Sequence, residues 1–507
     1  MLSSLRSAAL VGVEALPVVV EVDVSYGMPV FTMVGLPDAS VRESRDRVKS
    51  AIRNSGFPFP SHRVTVNLAP ADVRKAGASY DLPIALGILA ASGILEARNL
   101  DEVVLLGELS LDGAIQSIRG ALPVAVAARR EGRRAILLPR PNAPEASVVE
   151  GLQILAAESL GEAVQLLNSG VSASPQSQTP SCFRTTAPPP ECAHDFADVI
   201  GQSMAKRALE VAAAGGHNAL LIGPPGGGKT MMARRLSGVL PPLEFDESLD
   251  CTSIHSVAGT LPAGAGLMRE RPFRAPHHTI SEVAMVGGGA FPRPGEISLA
   301  HNGVLFLDEL PEFDRRVLES LRQPLEEGCV TIARAARSTV FPARFMFIAA
   351  MNPCPCGFHG DDRRLCRCSE PQIERYAGRI SGPLRDRIDL VVDVPAAHVT
   401  GLAHQAQEHS DQIRQRVVAA RAVQRRRFGA LPTTVNAAME GTLLREHAGL
   451  DKRSENLLEA AVQRFCLSAR GCDRVRRVSR TIADLAGSRA IEAEHVAEAL
   501  QYRIRSG

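Results

Sequence analysis

The sequence predicts an α/β protein of several domains. Apolar segments with the two-residue alternation of β-strands, such as 18–24 and 63–68, are interspersed with segments of helical pattern such as 40–54 and 121–131. An apolar strand at 219–222 runs directly into a glycine-rich loop, as in the strand–loop–helix units of parallel sheets. At roughly 150 residues per domain, a chain of 507 residues is expected to hold about three domains.

The composition is typical of a globular protein and does not indicate what the protein binds. Hydrophobic residues make up 45% of the chain and charged residues 22%, which excludes a wholly disordered protein. The formal net charge of +2 does not by itself indicate a nucleic-acid partner. The apolar stretch at 82–95 is interrupted by Pro83 and is shorter than the roughly 20 residues of a membrane span. The first residues do not resemble a secretory signal, so we expect a cytoplasmic protein without a membrane partner.

One segment interrupts the globular pattern. Residues 171–195 are rich in Pro, Ser and Thr, which is typical of an extended linker. We therefore predict an N-terminal domain over 1–170, a linker over 171–195, a second domain over 196–397 and a C-terminal helical domain over 398–507.

The strongest motif follows the strand at 219–222 and matches G-x-x-x-x-G-K-[ST], the phosphate-binding P-loop. Its residues are Gly223, Pro224, Pro225, Gly226, Gly227, Gly228, Lys229 and Thr230. Glycines allow backbone N–H groups to turn toward phosphate oxygens, where side chains would obstruct them. We expect Lys229 to neutralise the β- and γ-phosphates of ATP and Thr230 to offer its hydroxyl to Mg²⁺.

Two further apolar segments end in polar residues. The segment 304–307 is followed by Asp308, which we expect to hold Mg²⁺, and by Glu309, the candidate general base that activates the attacking water. The segment 345–350 leads to Asn352, our candidate for orienting that water against the γ-phosphate. Taken alone, an Asn before Pro is usually just a turn residue.

Four cysteines form two C-x-C pairs within the segment 354–368, and they are Cys354, Cys356, Cys366 and Cys368. Four thiolates can surround a Zn²⁺ ion tetrahedrally, so we predict a structural zinc loop. Free thiols are the alternative, because C-x-C is less diagnostic than C-x-x-C.

Basic segments offer candidate DNA contacts. The segment 331–341 is predicted to form a hairpin with Arg334 and Arg337 at or near its tip. We expect these arginines either to contact phosphates or to be ordinary solvated surface residues. The arginine-rich helix predicted at 414–427 is expected either to form a phosphate-contacting or inter-subunit face or to be a solvated helix. For the adjacent His277 and His278 we expect a loop role rather than a metal site, since neighbouring side chains usually point apart.

The order of the motifs resembles that of a known enzyme class. The P-loop, Leu-Phe-Leu-Asp-Glu, Ala-Met-Asn-Pro and the segment SGPLRDRID at 381–389 follow one another as in AAA+ ATPases of the magnesium-chelatase-like branch. The segments 212–218, 271–278 and 480–485 resemble those of the ComM/YifB family of bacterial competence-associated proteins. The resemblance spans nearly the whole chain and implies a ring-shaped motor, six-fold in symmetry, that translocates or unwinds DNA.

The resemblance also implies further site residues. Arg387 matches the arginine finger, which acts in trans on the γ-phosphate held by a neighbouring subunit. Arg470 matches the sensor arginine of the helical lid, with Arg474 as the alternative. Ile200 belongs to the segment 198–202, which matches the one that packs on adenine.

The N-terminal region resembles the proteolytic domain of Lon-type proteases, a ribosomal S5 domain 2-like fold. Ser79 lies in the stretch that matches the family's nucleophile, but Leu122 stands where the family has its lysine base. Because a serine without a base is a weak nucleophile, we expect a protease-like fold without proteolytic activity.

We therefore predict an ATP-hydrolysing ring motor that uses ATP and Mg²⁺, contains structural Zn²⁺, and acts on single-stranded or branched DNA. Its expected role is that of a helicase or branch-migration translocase supporting recombination during natural transformation. The alternative, a chelatase- or chaperone-type ATPase that remodels a protein, shares every nucleotide residue. A third hypothesis, an ATP-dependent Lon-like protease, is disfavoured by Leu122.

Overall fold

The computed structural model describes residues 1–36, 38–72, 75, 77–96, 100–170, 195–262, 264–289, 292–334, 337–361, 364–396, 408–429, 431 and 435–503. The linker predicted at 171–195, except its last residue, and the boundary predicted after residue 397 lie outside the described residues. The described chain alternates strands and helices in its first two regions and is helical after residue 408, so the predicted α/β fold class is confirmed.

The N-terminal region is built on a seven-stranded mixed sheet and a small two-stranded ribbon. The strands are β1 (Leu2–Val11), β2 (Glu14–Ser25), β3 (Phe31–Val34), β4 (Arg63–Ala69), β5 (Val103–Leu105), β6 (Glu108–Leu109), β7 (Ile115–Gln116), β8 (Ala135–Pro139) and β9 (Gln153–Ala157). The helices are α1 (Ala39–Asn54), α2 (Asp81–Ala91), α3 (Ala121–Arg130), α4 (Ala143–Ala146) and α5 (Leu160–Asn168). The sheet order is β3-β4-β2-β1-β5-β8-β9, with β2 antiparallel to β1 and β4 and the other neighbours parallel.

The central strand β1 is an element that the sequence analysis did not predict. Small Ala and Ser residues make up much of it, so it lacks a clear apolar alternation. Gly12, with φ of +65°, begins the two-residue turn that pairs Val11 with Glu14. Helix α2 approaches this hairpin closely, because a Cβ at Gly87 would lie 2.6 Å from Cγ2 of Val22.

The second region is built on a five-stranded parallel sheet with the order β11-β14-β17-β10-β18. Its strands and two accompanying ribbons are β10 (Ala219–Ile222), β11 (Phe273–Arg274), β12 (Gly287–Gly288), β13 (Arg293–Pro294), β14 (Val304–Leu307), β15 (Cys329–Arg334), β16 (Arg337–Pro342), β17 (Met346–Met351) and β18 (Leu390–Asp393). The helices are α6 (Ser203–Gly215), α7 (Lys229–Val239), α8 (Phe245–Ala258), α9 (Glu282–Val286), α10 (Glu296–Leu299), α11 (Arg315–Ser320), α12 (Arg322–Glu327), α13 (Glu370–Ala377) and α14 (Gly382–Arg385).

The parallel sheet is a buried core layer. Every residue of β10, β14 and β17 is buried, as expected for central strands covered by helices on both faces. The carboxyl ends of these three strands meet at one edge of the sheet, which is where parallel α/β sheets bind their ligands.

Five helices form the C-terminal region: α15 (Ser410–Phe428), α16 (Gly441–His447), α17 (Lys452–Phe465), α18 (Ala469–Leu485) and α19 (Ala493–Gln501). Asp484 of α18 has a buried carboxylate that accepts hydrogen bonds from Arg427 (2.5 and 2.8 Å), Asn436 (2.8 Å) and Arg480 (3.1 Å). A buried charge needs such partners, so this network joins α15 to α18.

Several arginines of the arginine-rich helix α15 make contacts within the chain. Arg421 donates to the carbonyl of Ala213 at 2.9 Å, and Arg425 pairs with Glu244. With Arg427 bound in the Asp484 network, these side chains mainly hold the C-terminal helices against the parallel-sheet region.

The N-terminal region contacts the parallel-sheet region at α8. The hydroxyl of Ser256 donates to Glu145 (2.6 Å) and accepts from the backbone N–H of Gly120 (3.0 Å). Asn142 donates to the other carboxylate oxygen of Glu145 at 2.6 Å. Burial raises the pKa of Glu145, although these hydrogen bonds oppose the shift.

Among the helices of the described residues, none is both long enough and apolar enough to cross a membrane.

Candidate functional site

The P-loop joins the end of β10 to the start of α7. Gly226 and Gly228 have φ values of +79° and +84°, which favour glycine. At Gly223 a Cβ would lie 2.0 Å from the carbonyl oxygen of Val394, so a side chain is excluded there. The loop is therefore shaped to present backbone N–H groups at the amino end of a helix, an arrangement suited to phosphate.

Lys229 is buried at the first position of α7, with its amine directed into the loop. The ammonium donates to the carbonyls of Gly223 (2.7 Å) and Pro224 (2.9 Å) and to Oδ1 of Asn352 (3.2 Å). Burial lowers the pKa of Lys229, while the charge of Asp308 opposes this shift. The contact with Asn352 brings the tip of β17 to the P-loop, as the sequence predicts.

Thr230 and Asp308 meet beside Lys229. The Thr230 hydroxyl donates to Oδ2 of Asp308 at 2.5 Å, and Oδ1 of Asp308 accepts from the backbone N–H of Glu309 at 2.9 Å. Hydroxyl and carboxylate oxygens are the ligands that Mg²⁺ prefers, so this pair fits the ion. Glu309 follows with φ of +52°, an uncommon conformation for a residue other than glycine.

His278 is a site residue that the sequence analysis missed. Its Nδ1 lies 3.6 Å from Oε2 of Glu309, and its ring packs edge-on against Phe313. The expectation that the adjacent histidines point apart is wrong, because the ring centroids of His277 and His278 are 4.1 Å apart. The pairing of β11 with β14 is the feature that could have identified His278, because the segment after β11 then reaches the same sheet edge as Glu309.

Ile200 is an exposed apolar residue close to the P-loop. Two residues later, Gln202 donates from Nε2 to the carbonyl of Pro395 (2.7 Å) and to that of Gly227 (3.4 Å). These bonds hold the segment 198–202 against the loop and leave the Ile200 side chain available to an aromatic base.

Arg387 lies at the opposite edge of the parallel sheet from Lys229. Asn218, directly before β10, donates from Nδ2 to the carbonyl of Arg387 at 2.8 Å. The four residues of β10 separate Asn218 from the P-loop, which is about 13 Å at the usual rise of a strand. Arg387 is therefore remote from the phosphate-binding loop of its own chain.

Arg470 and Arg474 occupy different environments. Arg470 is exposed, and its charge, with that of Arg322, contributes to the lowered pKa of Arg387, whose main cause is burial. Arg474 is buried, and its guanidinium lies 3.8 Å from Asp386. Arg470 is thus an exposed cation close enough to Arg387 to affect its pKa, while Arg474 is buried beside Asp386.

The four cysteines of the segment 354–368 converge. Their sulfur atoms all lie within 4.8 Å of one another. The closest distances are 3.3 Å between Cys354 and Cys356 and 3.6 Å between Cys356 and Cys366. Sulfur atoms around a tetrahedral zinc ion are about 3.8 Å apart, given Zn–S bonds of about 2.3 Å, so the cluster fits Zn²⁺. The same loop touches the P-loop, since a Cβ at Gly357 would lie 2.6 Å from Cδ of Pro225.

The basic hairpin has the predicted backbone. β15 and β16 are antiparallel, and their register pairs Arg334 with Arg337 at the end of the ribbon. The side chains of these two arginines lie outside the described part of the structure, so their candidate DNA contacts stay a prediction.

The protease-like stretch of the N-terminal region has no base beside its serine in the described residues. Ser79 lies in the turn Ala78–Tyr80, and Leu122 is fully buried in α3. The amine of Lys75, which lies nearby in sequence, donates to the carbonyl of Pro70. Among the residues that the structure describes, none is hydrogen-bonded to the Ser79 hydroxyl as a general base.

Comparison with protein families matches most of the chain. A family described as magnesium chelatase, subunit ChlI, matches residues 195–402. A second, described as subunit ChlI of Mg-chelatase, matches residues 20–142, and the C-terminal family of the same subunit matches residues 407–503. Together with the P-loop geometry, these matches define a magnesium-chelatase-like AAA+ ATPase.

Comparison with individual proteins identifies a more specific family within this class. The chain is 45% identical over 504 residues to the uncharacterized protein YifB of Escherichia coli, covering 99% of this chain and 97% of YifB. It is 44% identical over 512 aligned residues to the competence protein ComM of Haemophilus influenzae, with coverage of 99% and 97%. The chain therefore belongs to the ComM/YifB family. The magnesium-chelatase 67 kDa subunit of Chlorobaculum parvum is 27% identical over 161 residues, 31% of this chain and 23% of that subunit.

Proposed function

We propose that this ATPase is a ring motor, six-fold in symmetry, that translocates on or unwinds single-stranded or branched DNA during natural transformation. The observation that supports a ring assembly is the position of Arg387 at the edge of the parallel sheet opposite Lys229. A finger so placed serves a neighbouring subunit, and head-to-tail contacts of that kind form a ring when the rotation between subunits closes. The similarity to a protein named competence protein ComM supports DNA as the substrate.

Within each subunit we assign the roles by position. Lys229 and the P-loop N–H groups bind the phosphates of ATP, and Ile200 packs on adenine. Thr230 and Asp308 would hold Mg²⁺, which neutralises phosphate charge when bound. Glu309 takes the proton of the attacking water, Asn352 orients that water, and His278 positions the Glu309 carboxylate.

Between subunits, we assign Arg387 and Arg470 to the γ-phosphate of the adjacent P-loop. Their guanidinium groups stabilise the charge that develops during phosphoryl transfer. Asn218 ties the backbone of Arg387 to β10, so the finger is held by the same strand that leads to the P-loop of its own subunit.

The remaining assignments complete the proposal. We divide the chain into domains at 1–170, 196–397 and 398–507, with the segment 171–195 as linker. Arg334 and Arg337 contact DNA phosphates from the hairpin of β15 and β16. The four cysteines hold a structural Zn²⁺ ion that fixes the loop between Asn352 and Arg387.

Mixing two inactive variants tests the ring. Lys229→Ala lacks a usable phosphate site but keeps its finger, whereas Arg387→Ala lacks the finger but keeps its site. Mixed subunits should regain part of the ATPase, because some interfaces join an intact site to an intact finger. Normal hydrolysis by Arg387→Ala alone, or a fully active monomer at dilution, would contradict the proposal.

Stimulation of the ATPase by DNA tests the substrate. We expect single-stranded or branched DNA to raise the turnover of the wild type, with the Lys229→Ala variant as the inactive control. No stimulation and no binding at low salt would favour the other candidate, a motor that remodels a protein. The similarity to a magnesium-chelatase subunit is the observation that supports that candidate.

A further inference from the structure

One end of the N-terminal sheet carries exposed aromatic and basic side chains. We call it the aromatic–basic patch and define it by Tyr26, Lys49, Arg53, Phe59, His62 and Arg63. The Tyr26 side chain is 94% exposed, and its ring centroid lies 5.1 Å from that of His62. The pairing of Ser25 with Arg63 in β2 and β4 brings the loops that hold these residues together.

The second half of the patch surrounds Phe59. The Lys49 ammonium and the Arg53 guanidinium each lie 5.9 Å from the centroid of the Phe59 ring. On the inner side, Phe59 stacks on Phe31 of β3, with 6.5 Å between ring centroids. The half-buried Phe59 ring thus packs on Phe31 and holds two cations over it, which fixes the position of those charges.

The patch is positively charged, and it is bordered in the sequence by Asp23 of β2 and Asp46 of α1. No Asp or Glu occurs between residues 47 and 71, and none occurs between residues 24 and 37. Lys49, Arg53 and Arg63 are exposed, and none of them pairs with a carboxylate among the residues that the structure describes. The carboxylate of Asp46, which precedes the acid-free segment 47–71, is paired with Arg45, with 3.2 Å between Oδ1 and Nε.

The exposed ring of Tyr26, beside His62 and several cations, fits a nucleic-acid strand. Aromatic side chains stack on unpaired bases, and Lys and Arg neutralise the phosphates between them. A duplex hides the faces of its bases, so the rings favour a single strand. A second copy of the chain fits poorly in a two-fold contact, because it would present the same positive patch.

We propose that the aromatic–basic patch binds single-stranded nucleic acid, as a contact separate from the β15–β16 hairpin. The inference depends on the proposed function only for the choice of DNA as probe. It gives the N-terminal region a substrate-binding role that its protease-like serine does not provide.

The test uses the full-length protein and a fluorescent oligo-dT of about 20 nucleotides. Tyr26→Ala should weaken binding about fivefold or more, the usual effect of losing one stacking ring. Arg53→Glu should weaken binding and flatten its dependence on salt. Arg130→Glu is the matched control, since Arg53 and Arg130 both lie in the last turn of a helix, and it should bind like the wild type.

A positional readout separates this contact from others on the protein. Oligo-dT containing 5-iodouracil should crosslink, on irradiation, to the peptide that holds Tyr26 or Phe59. Wild-type affinity in both Tyr26→Ala and Arg53→Glu, or crosslinks confined to other regions, would overturn the inference. Such a result would leave the proposed function intact if DNA still stimulated the ATPase.

Two competitors define the ligand class. Poly-glutamate should displace oligo-dT poorly, because it offers charge without stacking. Tight binding of poly-glutamate that is insensitive to Tyr26→Ala would indicate an acidic protein partner instead. Tighter binding of duplex DNA than of oligo-dT, lost in Arg53→Glu, would reject the single-strand preference.

Discussion

The seven-stranded and five-stranded sheets share α/β layering but differ at the ends of their strands. In the five-stranded sheet the carboxyl ends of β10, β14 and β17 bring Lys229, Asp308 and Asn352 together. In the N-terminal region, no base is hydrogen-bonded to Ser79 among the described residues, and Leu122 is buried in the core. The comparison shows that layering positions a site only where polar side chains occupy the strand ends.

The largest expected effects concern the parallel-sheet site. Lys229→Ala should abolish ATP binding, since it removes the charge that meets the phosphates. Glu309→Gln should keep ATP binding and lose hydrolysis by about a hundredfold or more, because an amide cannot accept the proton of the water. Labelled-nucleotide binding and steady-state turnover distinguish the two outcomes. Glu312→Gln is the nearby control, and near-normal turnover of Glu309→Gln would reject the assignment of the base.

Metal analysis tests the cysteine cluster beside the same site. The purified protein should carry about one zinc per chain, and replacing Cys354, Cys356, Cys366 and Cys368 by serine should remove it. Replacing Cys251 and Cys466, two cysteines outside the cluster, by serine should leave the zinc content unchanged. Equal zinc in the wild type and in the four-serine variant would rule out the site.

A smaller effect is expected at His278. His278→Ala should lower kcat about tenfold and leave KM for ATP nearly unchanged, because the residue orients Glu309 rather than binding nucleotide. His278→Asn keeps a polar group near the carboxylate and should recover part of kcat. A change in KM alone, or no recovery in His278→Asn, would point to a structural role.

The contact between the two regions should depend on pH. Burial raises the pKa of Glu145, so the folded protein holds this proton more tightly than the unfolded chain does. Its contribution to the free energy of unfolding is full below the unfolded-state pKa, near ~4.3, and is lost as pH rises through the raised folded-state pKa. Glu145→Gln should flatten this part of the profile of Tm against pH, whereas the exposed Glu150→Gln should not. Parallel profiles for Glu145→Gln and the wild type would contradict the prediction.

The smallest effect is expected at Ser79. Ser79→Ala should leave ATPase activity unchanged, and neither protein should degrade an unfolded substrate in the presence of ATP. Gel analysis of casein incubated with each protein provides the measurement. Degradation that disappears in Ser79→Ala would show that the N-terminal region is a working protease.

The P-loop and the Asp308–Glu309 pair could be predicted because their chemistry lies in contiguous residues next to a strand. The cysteine cluster was predictable for the same reason. The strand β1 was not predicted, because its Ala and Ser residues give no apolar alternation and only its pairing with β2 and β5 identifies it as a central strand. Predicting the contact of His278 with Glu309 would have required knowing that β11 pairs with β14. Predicting the Asp484 network would have required knowing that α15 packs on α18. Such long-range contacts carry no local signal in a single sequence.

Asn218 joins several parts of the molecule. Its side chain donates to the carbonyl of Arg387 and accepts from the backbone N–H of Phe347, while β10 leads from it to the P-loop. Because β10 is short and is held by Asn218 at one end and the P-loop at the other, it can transmit a displacement along its length like a rigid strut. In a closed ring, each strut would link the pocket of one interface to the finger of the next. Displacement of the P-loop on ATP binding would then pass mechanically to the following interface, and the stiffness of this short strand would set how strongly neighbouring sites are coupled.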